Sequence, residues 1–155
     1  MRHRYVFRSS WRLDAPPDDV TAALEEVGDY PAWWPEVRVA TRIDDDTYEL
    51  RCRSTLPYDL VFETQRSVHD PVGGVLEANM IGDLEGFSRW TITPDGSGTL
   101  AVFDEDVVAN KRLLRVLEPI ARPGFKANHW LMMRHGQAGL RVYLAGLRHG
   151  RTLES

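Results

Sequence analysis

The sequence predicts an α+β fold in which a curved antiparallel sheet of about seven strands grips one long C-terminal helix. Two observations predict it. The middle of the chain consists of short strand-like segments separated by brief turns, which is typical of an antiparallel meander. The segment 124–146 has the period of an amphipathic helix and would span roughly 35 Å at about 1.5 Å per residue. No other element is long enough to cover the concave face of such a sheet.

The N-terminal part of the sequence predicts one strand and two short helices. Tyr5–Leu13 is rich in aromatic and β-branched residues, as strands are. Pro16-Pro17 and the two acids after it suit the first turn of a helix, which ends at Gly28. Asp29–Pro35 then forms a second helical turn, closed by its last proline. Because adjacent side chains in an extended segment point to opposite sides, we expect Trp33 to seal the core and Trp34 to line a pocket.

Six further strands are predicted, because each segment is bounded by turn residues and several alternate apolar with polar positions. The clearest alternation places Tyr48, Leu50 and Cys52 on one face. The predicted strands are Val37–Ile43, Thr47–Ser54, Leu60–His69, Val75–Ile81, Gly86–Thr93 and Thr99–Val108. Asn110–Leu117 is expected to be partly helical.

The final helix has an apolar stripe whose first half is unusual. At about 100° per residue, the stripe comprises Phe125, His129, Met132, Met133, Gly136, Leu140, Tyr143, Leu144 and Leu147. The half before Gly136 carries an imidazole and two thioethers, which adapt to irregular surroundings and specify a tight core poorly. The pattern therefore indicates a helix that packs tightly near its C-terminus and covers a cavity near its N-terminus. Close approach of helix and sheet explains a glycine at position 136.

Composition limits the class of protein. The chain has 155 residues, of which 43% are hydrophobic and 27% charged, as in a single globular domain. We expect that domain to span residues 1–148, followed by a flexible tail at 149–155. A net charge of −4 without a basic cluster argues against nucleic-acid binding. The single cysteine favours a reducing cytoplasm, and the lack of a long apolar run argues against a signal peptide and stable membrane insertion.

Several local motifs point to one family. They are Asp14-Ala15-Pro16-Pro17 before the first helix, DYPAWWPEV at 29–37, GDLEG at 82–86 followed by Trp90, and Asn128-His129 with Met133, Gly136 and Leu140. With the element order, they resemble the helix-grip (Bet v 1-like) fold of the START-like, or SRPBCC, superfamily. Within it they are similar to a bacterial subgroup of polyketide cyclase/dehydrase-like proteins. The resemblance implies an internal cavity for a hydrophobic small molecule.

Two strands carry charges on apolar faces. Arg66 shares a face with Phe62, and Asp104 shares a face with Val102. If both faces line the concavity, Arg66 and Asp104 form a buried ion pair inside the cavity. The alternative is a β-bulge or twist that turns both charges to solvent.

The candidate site combines these charges with the half of the final helix before Gly136, which carries the imidazole and the two thioethers. His129 is an acid, a base or a hydrogen-bond donor in this hypothesis, and the alternative is a packed histidine satisfied by a strand. The predicted ligand-binding residues are Trp34, Phe62, Arg66, Ser88, Trp90, Val102, Asp104, Phe125, His129, Met132 and Met133. Catalysis would fall to His129, Arg66 and Asp104. No metal or cofactor is predicted, because the histidines lack ligand spacing and no glycine-rich phosphate loop is present.

Three functions remain open from the sequence. The first is a carrier for a lipid, polyketide or isoprenoid-like molecule. The second is a polyketide cyclase/aromatase or dehydratase-type enzyme, without metal or nucleotide cofactor, that uses the same cavity. The third is a protein-interaction module, or a homodimer, in which Trp130, Leu131 and Val142 form the contact surface because they lie off the inward stripe.

Overall fold

The computed structural model describes residues 4–53, 59–117 and 122–154. The strands are β1 (Arg4–Leu13), β2 (Val37–Asp44), β3 (Thr47–Cys52), β4 (Leu60–Asp70), β5 (Val75–Gly82), β6 (Leu84–Asp95) and β7 (Gly98–Ala109). The helices are α1 (Pro17–Glu25), α2 (Tyr30–Trp33), α3 (Lys111–Leu117) and α4 (Arg122–Glu154), with a 3-10 turn at Val27–Asp29. The predicted fold class is confirmed. Ser54, the predicted end of the third strand, lies outside the described residues.

All seven strands form one antiparallel sheet in the order β1-β7-β6-β5-β4-β3-β2. Strands β2 to β7 follow the chain as a meander. The first strand joins the far edge, where it pairs with β7 from Arg4↔Val108 to Leu13↔Thr99. The register of β4 against β5 shifts between Arg66 and Val68, so a bulge interrupts the strand there.

The connection from α1 to β2 packs two tryptophans into the core. Trp33 ends α2 and Trp34 follows in an extended conformation, so the two indoles stack at 5.4 Å instead of pointing apart. Both indoles are buried, whereas the sequence predicted that they point to opposite sides. Trp11 lies 5.3 Å from Trp34 and 4.8 Å from Trp90, centroid to centroid. This aromatic cluster supports the middle of α4.

Helix α4 is 33 residues long and begins and ends outside the predicted limits. A Cβ added at Gly136 would lie 2.6 Å from Cε2 of Trp34, so the predicted close approach is confirmed. Leu140 and Leu144 are buried, whereas Leu147 is 44% exposed. The inward stripe therefore ends at Leu144, and the expectation that Leu147 continues it is wrong. Residues 149–154, assigned by sequence to the tail, continue the helix.

Asp83 joins strands and helix α3 at one end of the sheet. Its carboxylate accepts hydrogen bonds from the backbone N–H of Val61 at 2.9 Å and from the guanidinium of Arg112 at 2.5 and 3.1 Å. Asn110 donates a further bond at 3.3 Å. Burial acts to raise the pKa of Asp83, but these bonds and the charge of Arg112 outweigh it and lower the pKa.

Candidate ligand cavity

A cavity of about 180 Å³ lies between the concave face of the sheet and helix α4. Its wall draws on both buried apolar clusters of the chain, and it is mostly aromatic, aliphatic and thioether. At one end the lining side chains are exposed or half-buried, so the cavity reaches the surface there. We call this the open end, and it is formed by Glu25, Asp45, Asp46, Arg66 and His69.

The most informative polar contact in the cavity joins β7 to α4. Nε2 of His129 lies 3.0 Å from Oε2 of Glu105, and the two side chains are 16% and 7% exposed. The imidazole stacks on Phe7 with a centroid distance of 3.7 Å and an interplanar angle of 9°. The contact does not meet hydrogen-bond geometry, so Oε2 of Glu105 has no hydrogen bond among the described residues. The pair is an acid and a base held together in an apolar wall.

The acid of β7 that lines the cavity is Glu105 and not Asp104. Along β7 the buried residues are the odd-numbered ones, and Val102 and Asp104 lie on the opposite, convex face. Asp104 Oδ1 accepts a bond of 2.7 Å from Nε of Arg8 on β1. The expectation that Val102 and Asp104 face the cavity is wrong. Side chains of a strand alternate between its two faces, so assigning the wrong face of β7 to the cavity places every predicted residue of that strand outside the site.

The predicted Arg66–Asp104 ion pair is also wrong. Arg66 lines the cavity, but only at its open end, where its Nη1 lies 3.9 Å from Oδ1 of Asp46. Its backbone N–H donates to the carbonyl of Asp46 at 2.8 Å. The register shift after Arg66 matches the bulge that the sequence left open as the alternative.

The structure brings most of the other predicted site residues to the cavity wall. They are Trp34, Phe62, Ser88, Trp90, Phe125, His129, Met132 and Met133. Nε1 of Trp34 donates to the carbonyl of Met132 at 2.9 Å, which ties the turn after α2 to α4. Their contact with a ligand remains a prediction.

Sequence reasoning missed several residues of the wall. Asn128, which is not part of the predicted stripe of α4, is 9% exposed and lines the cavity beside His129. Phe7 was missed because no inward face was assigned to its strand, and Glu105 was missed because the opposite face of β7 was assigned to the cavity. A signal was available: Arg4 and Arg8 of β1 match the acids Asp106 and Asp104 of β7 across the strand pair, which marks that face as solvated.

Cys52 is the buried thiol of the cavity wall. Burial, together with the negative charges of Glu105 and Glu36, raises its pKa to about 12. The thiol is therefore protonated at neutral pH, and Cys52 lacks the thiolate that a nucleophile or metal ligand requires. Within the described ranges, no group of three or more histidine, cysteine or acidic residues is placed to hold a metal ion. No helix in the described part of the chain is long and apolar enough to cross a membrane.

The sheet, the long helix and the cavity between them form a helix-grip fold. The family model of polyketide cyclase/dehydrase and lipid transport proteins matches residues 5–144, so the chain belongs to that family. Among curated protein sequences, none matches the chain.

Solved structures share the fold at low sequence identity. The Zhui aromatase/cyclase from Streptomyces sp. R1128 superposes with a TM-score of 0.75 at 14% identity, covering 92% of this chain and 94% of its own. A START superfamily protein from Mycobacterium smegmatis gives 0.70 at 19% identity, covering 92% and 98%. Ara h 8.0201 gives 0.64 at 10% identity, covering 92% and 99%. At these identities the likeness shows the fold alone.

Proposed function

We propose that this protein binds an apolar small molecule, of the lipid, polyketide or isoprenoid-like kind, in the cavity under helix α4. The observation that carries the proposal is the wall itself. Protein interiors are normally close-packed, yet about 180 Å³ stays open among aromatic, aliphatic and methionine side chains. Such a concave apolar surface with a few polar groups is the usual form of a small-molecule site. Membership of a family described by polyketide and lipid chemistry supports the same class of ligand.

Flexible side chains of helix α4, which covers the cavity, support the choice of ligand class. Met132 and Met133 project from α4 onto the wall beside Phe125. Thioethers adjust to irregular apolar shapes and pack well against rings. The wall therefore suits a bulky apolar ligand that has few directional contacts.

Native mass spectrometry tests this proposal on protein purified without detergent. We expect an added mass that organic extraction removes and that returns when octan-1-ol or a larger apolar alcohol is supplied. Ser88→Leu fills the cavity and should lose the added mass. The matched control Ser10→Leu, at an exposed position of β1, should retain it. Absence of any bound mass in the wild-type protein, before and after supply of the alcohol, would contradict the proposal.

The second candidate function is a cyclase- or dehydratase-type enzyme, and the contact between His129 and Glu105 favours it. An imidazole held against a carboxylate serves as a general base, because the developing imidazolium is stabilised by the charge beside it. The cavity would orient a reactive chain next to that base. Arg66 is too exposed and too close to Asp46 to act at the same point.

A test of the enzyme is a comparison of His129→Gln with His135→Gln, using cyclisation of a synthetic poly-β-ketone chain. His135 lies on the same helix but contacts Glu36 at 2.5 Å, outside the cavity lining. Turnover lost in His129→Gln alone supports catalysis. Equal turnover by both variants and the wild-type protein removes His129 from the mechanism.

The interaction-module hypothesis has weaker support. Trp130 and Val142 are 58% and 74% exposed, and the guanidinium of Arg134 lies 4.9 Å from the centre of the Trp130 ring. These exposed side chains are separated along α4, so they do not by themselves define one patch. Size-exclusion chromatography of Trp130→Ala against the wild-type protein tests whether a homodimer depends on this face.

A further inference from the structure

Charged side chains on the cavity wall are mostly acidic. Among the lining residues that the structure describes, five are aspartate or glutamate and two are arginine. Each arginine already faces an acid. Nη1 of Arg53 lies 3.7 Å from Oδ1 of Asp59, and Nη1 of Arg66 lies 3.9 Å from Oδ1 of Asp46. Asp59 also pairs with Arg51 at 3.2 Å, and within the described ranges neither Arg53 nor Arg66 forms an ion pair with Glu105.

Two glutamates of the wall, Glu25 and Glu105, have a histidine as their ionic partner instead of an arginine. In the described part of the chain, the ionic partner of Glu25 is His69 at 2.7 Å, and that of Glu105 is His129 at 3.0 Å. A neutral imidazole does not cancel the charge of a carboxylate. Among the described residues, both glutamates face an imidazole and neither forms an ion pair with an arginine or lysine.

Glu105 is the stronger of the two sites, because it is 93% buried, as its 7% side-chain exposure shows, and lies among apolar lining residues that include Phe7, Phe103 and Phe125. Its Oε2 has no hydrogen bond from any described residue. A carboxylate in an apolar site is unfavourable unless a donor or a positive charge compensates it. A ligand ammonium group supplies both, through a charge-assisted hydrogen bond. A ligand carboxylate would add a second negative charge to the same site.

We propose that the cavity takes an apolar ligand bearing a protonated amino group, with the ammonium at Glu105 and the hydrocarbon part against the aromatic and thioether wall. This inference rests on the proposed binding function and adds the polar group of the ligand. It also makes free fatty acids poor ligands, although their hydrocarbon chains suit the wall.

Isothermal titration calorimetry at pH 8 with octylamine, octan-1-ol and octanoate tests the inference, because the three share one chain and differ in the charge of the head group. We expect octylamine to bind most tightly and octanoate most weakly, with Kd values at least about tenfold apart. In Glu105→Gln the difference falls to about threefold or less. The control Glu85→Gln removes the same charge from an exposed residue outside the cavity lining and leaves the difference unchanged.

The outcomes separate this inference from the proposed function. Equal Kd values for the three compounds, or tightest binding of octanoate, overturn the amine inference and leave apolar binding intact. A difference that persists in Glu105→Gln also overturns it. Binding of none of the three contradicts the proposed function itself. If Glu105→Gln does not fold, Glu105→Met removes the charge at similar volume, and the wild-type series still decides.

Discussion

Gly136 of helix α4 lies against the indole of Trp34, so closely that a Cβ at this position would be 2.6 Å from Cε2 and 2.8 Å from Nε1 of the ring. The same indole donates from Nε1 to the carbonyl of Met132, one turn earlier on the helix. These two contacts hold α4 against the turn that follows α2. The cavity exists on the side where the helix carries Phe125 to Met133, and close packing resumes at the glycine.

Gly136→Ala should destabilise the fold, although alanine is the better helix former. The added methyl group meets a buried aromatic ring, and overpacking of this kind costs about 1–3 kcal/mol. The control Gly146→Ala meets no atom within 4 Å, so we expect it to stabilise the helix by up to about 1 kcal/mol. Urea unfolding followed by tryptophan fluorescence measures both. Equal or opposite changes would contradict the close approach.

Asp83→Asn should lower stability at neutral pH by about 2 kcal/mol, since it weakens a mostly buried carboxylate's bonds to Arg112 and to the N–H of Val61. The folded-state pKa of Asp83 lies below its ordinary 3.8. Its ionised form therefore stabilises the fold above that pH, and this contribution is lost as the pH falls through the lowered pKa. The difference between wild type and Asp83→Asn should shrink in acid.

The exposed pair of Arg12 and Asp95 provides the control for Asp83, because its nitrogen and oxygen are 3.5 Å apart at the surface. Asp95→Asn should change the free energy of unfolding by less than about 1 kcal/mol at any pH. A constant deficit of Asp83→Asn from pH 7 to pH 2 would show that the charge of Asp83 is not what stabilises this end of the sheet.

Cys52 should resist alkylation in the folded protein. Because burial and neighbouring acids raise its pKa to about 12, the reactive thiolate is scarce at pH 8 to 9. Iodoacetamide labelling, followed by intact-mass measurement, should be slow in buffer and fast in urea, where the thiol regains its ordinary pKa. Rapid labelling at pH 8 without denaturant would contradict the buried position of this thiol on the cavity wall.

Asp104→Asn should leave ligand binding within about twofold of the wild-type Kd, because Asp104 pairs with Arg8 on the convex face of the sheet. Its effect on stability should also be small, below about 1 kcal/mol, as is usual for exposed ion pairs. The measurement is a calorimetric titration of octan-1-ol into Asp104→Asn and into the wild-type protein. A large loss of binding would place Asp104 in the site after all.

The element order and the roofed cavity could be predicted because both rest on one-sided patterns. The stripe of α4 is apolar on a single face, so Phe125, His129 and Met133 could be placed inward from helical period alone. Leu147 was misplaced because the sequence does not show where the sheet ends beneath the helix. A side chain beyond that edge is exposed however well it continues the stripe.

The polar part of the site could not be predicted in the same way. Strand β7 carries apolar residues on both faces, Val102 on one and Phe103 on the other, so its hydrophobic pattern does not identify the inner face. The choice between Asp104 and Glu105 needed the pairing of β7 with β1. That Glu105 and Cys52 face the same cavity depends on the curvature of the sheet, which a sequence pattern does not contain.

The central claim, that the cavity binds an apolar ligand, is tested most directly by titrating a neutral, polarity-sensitive dye such as Nile red into the wild-type protein and two leucine variants. We predict saturable fluorescence enhancement by the wild-type protein, a Kd within about twofold for Ser10→Leu, and a Kd at least about tenfold weaker for Ser88→Leu, since leucine there occupies the cavity. Equal dye binding by Ser88→Leu and the wild-type protein, with both folded, would contradict the claim.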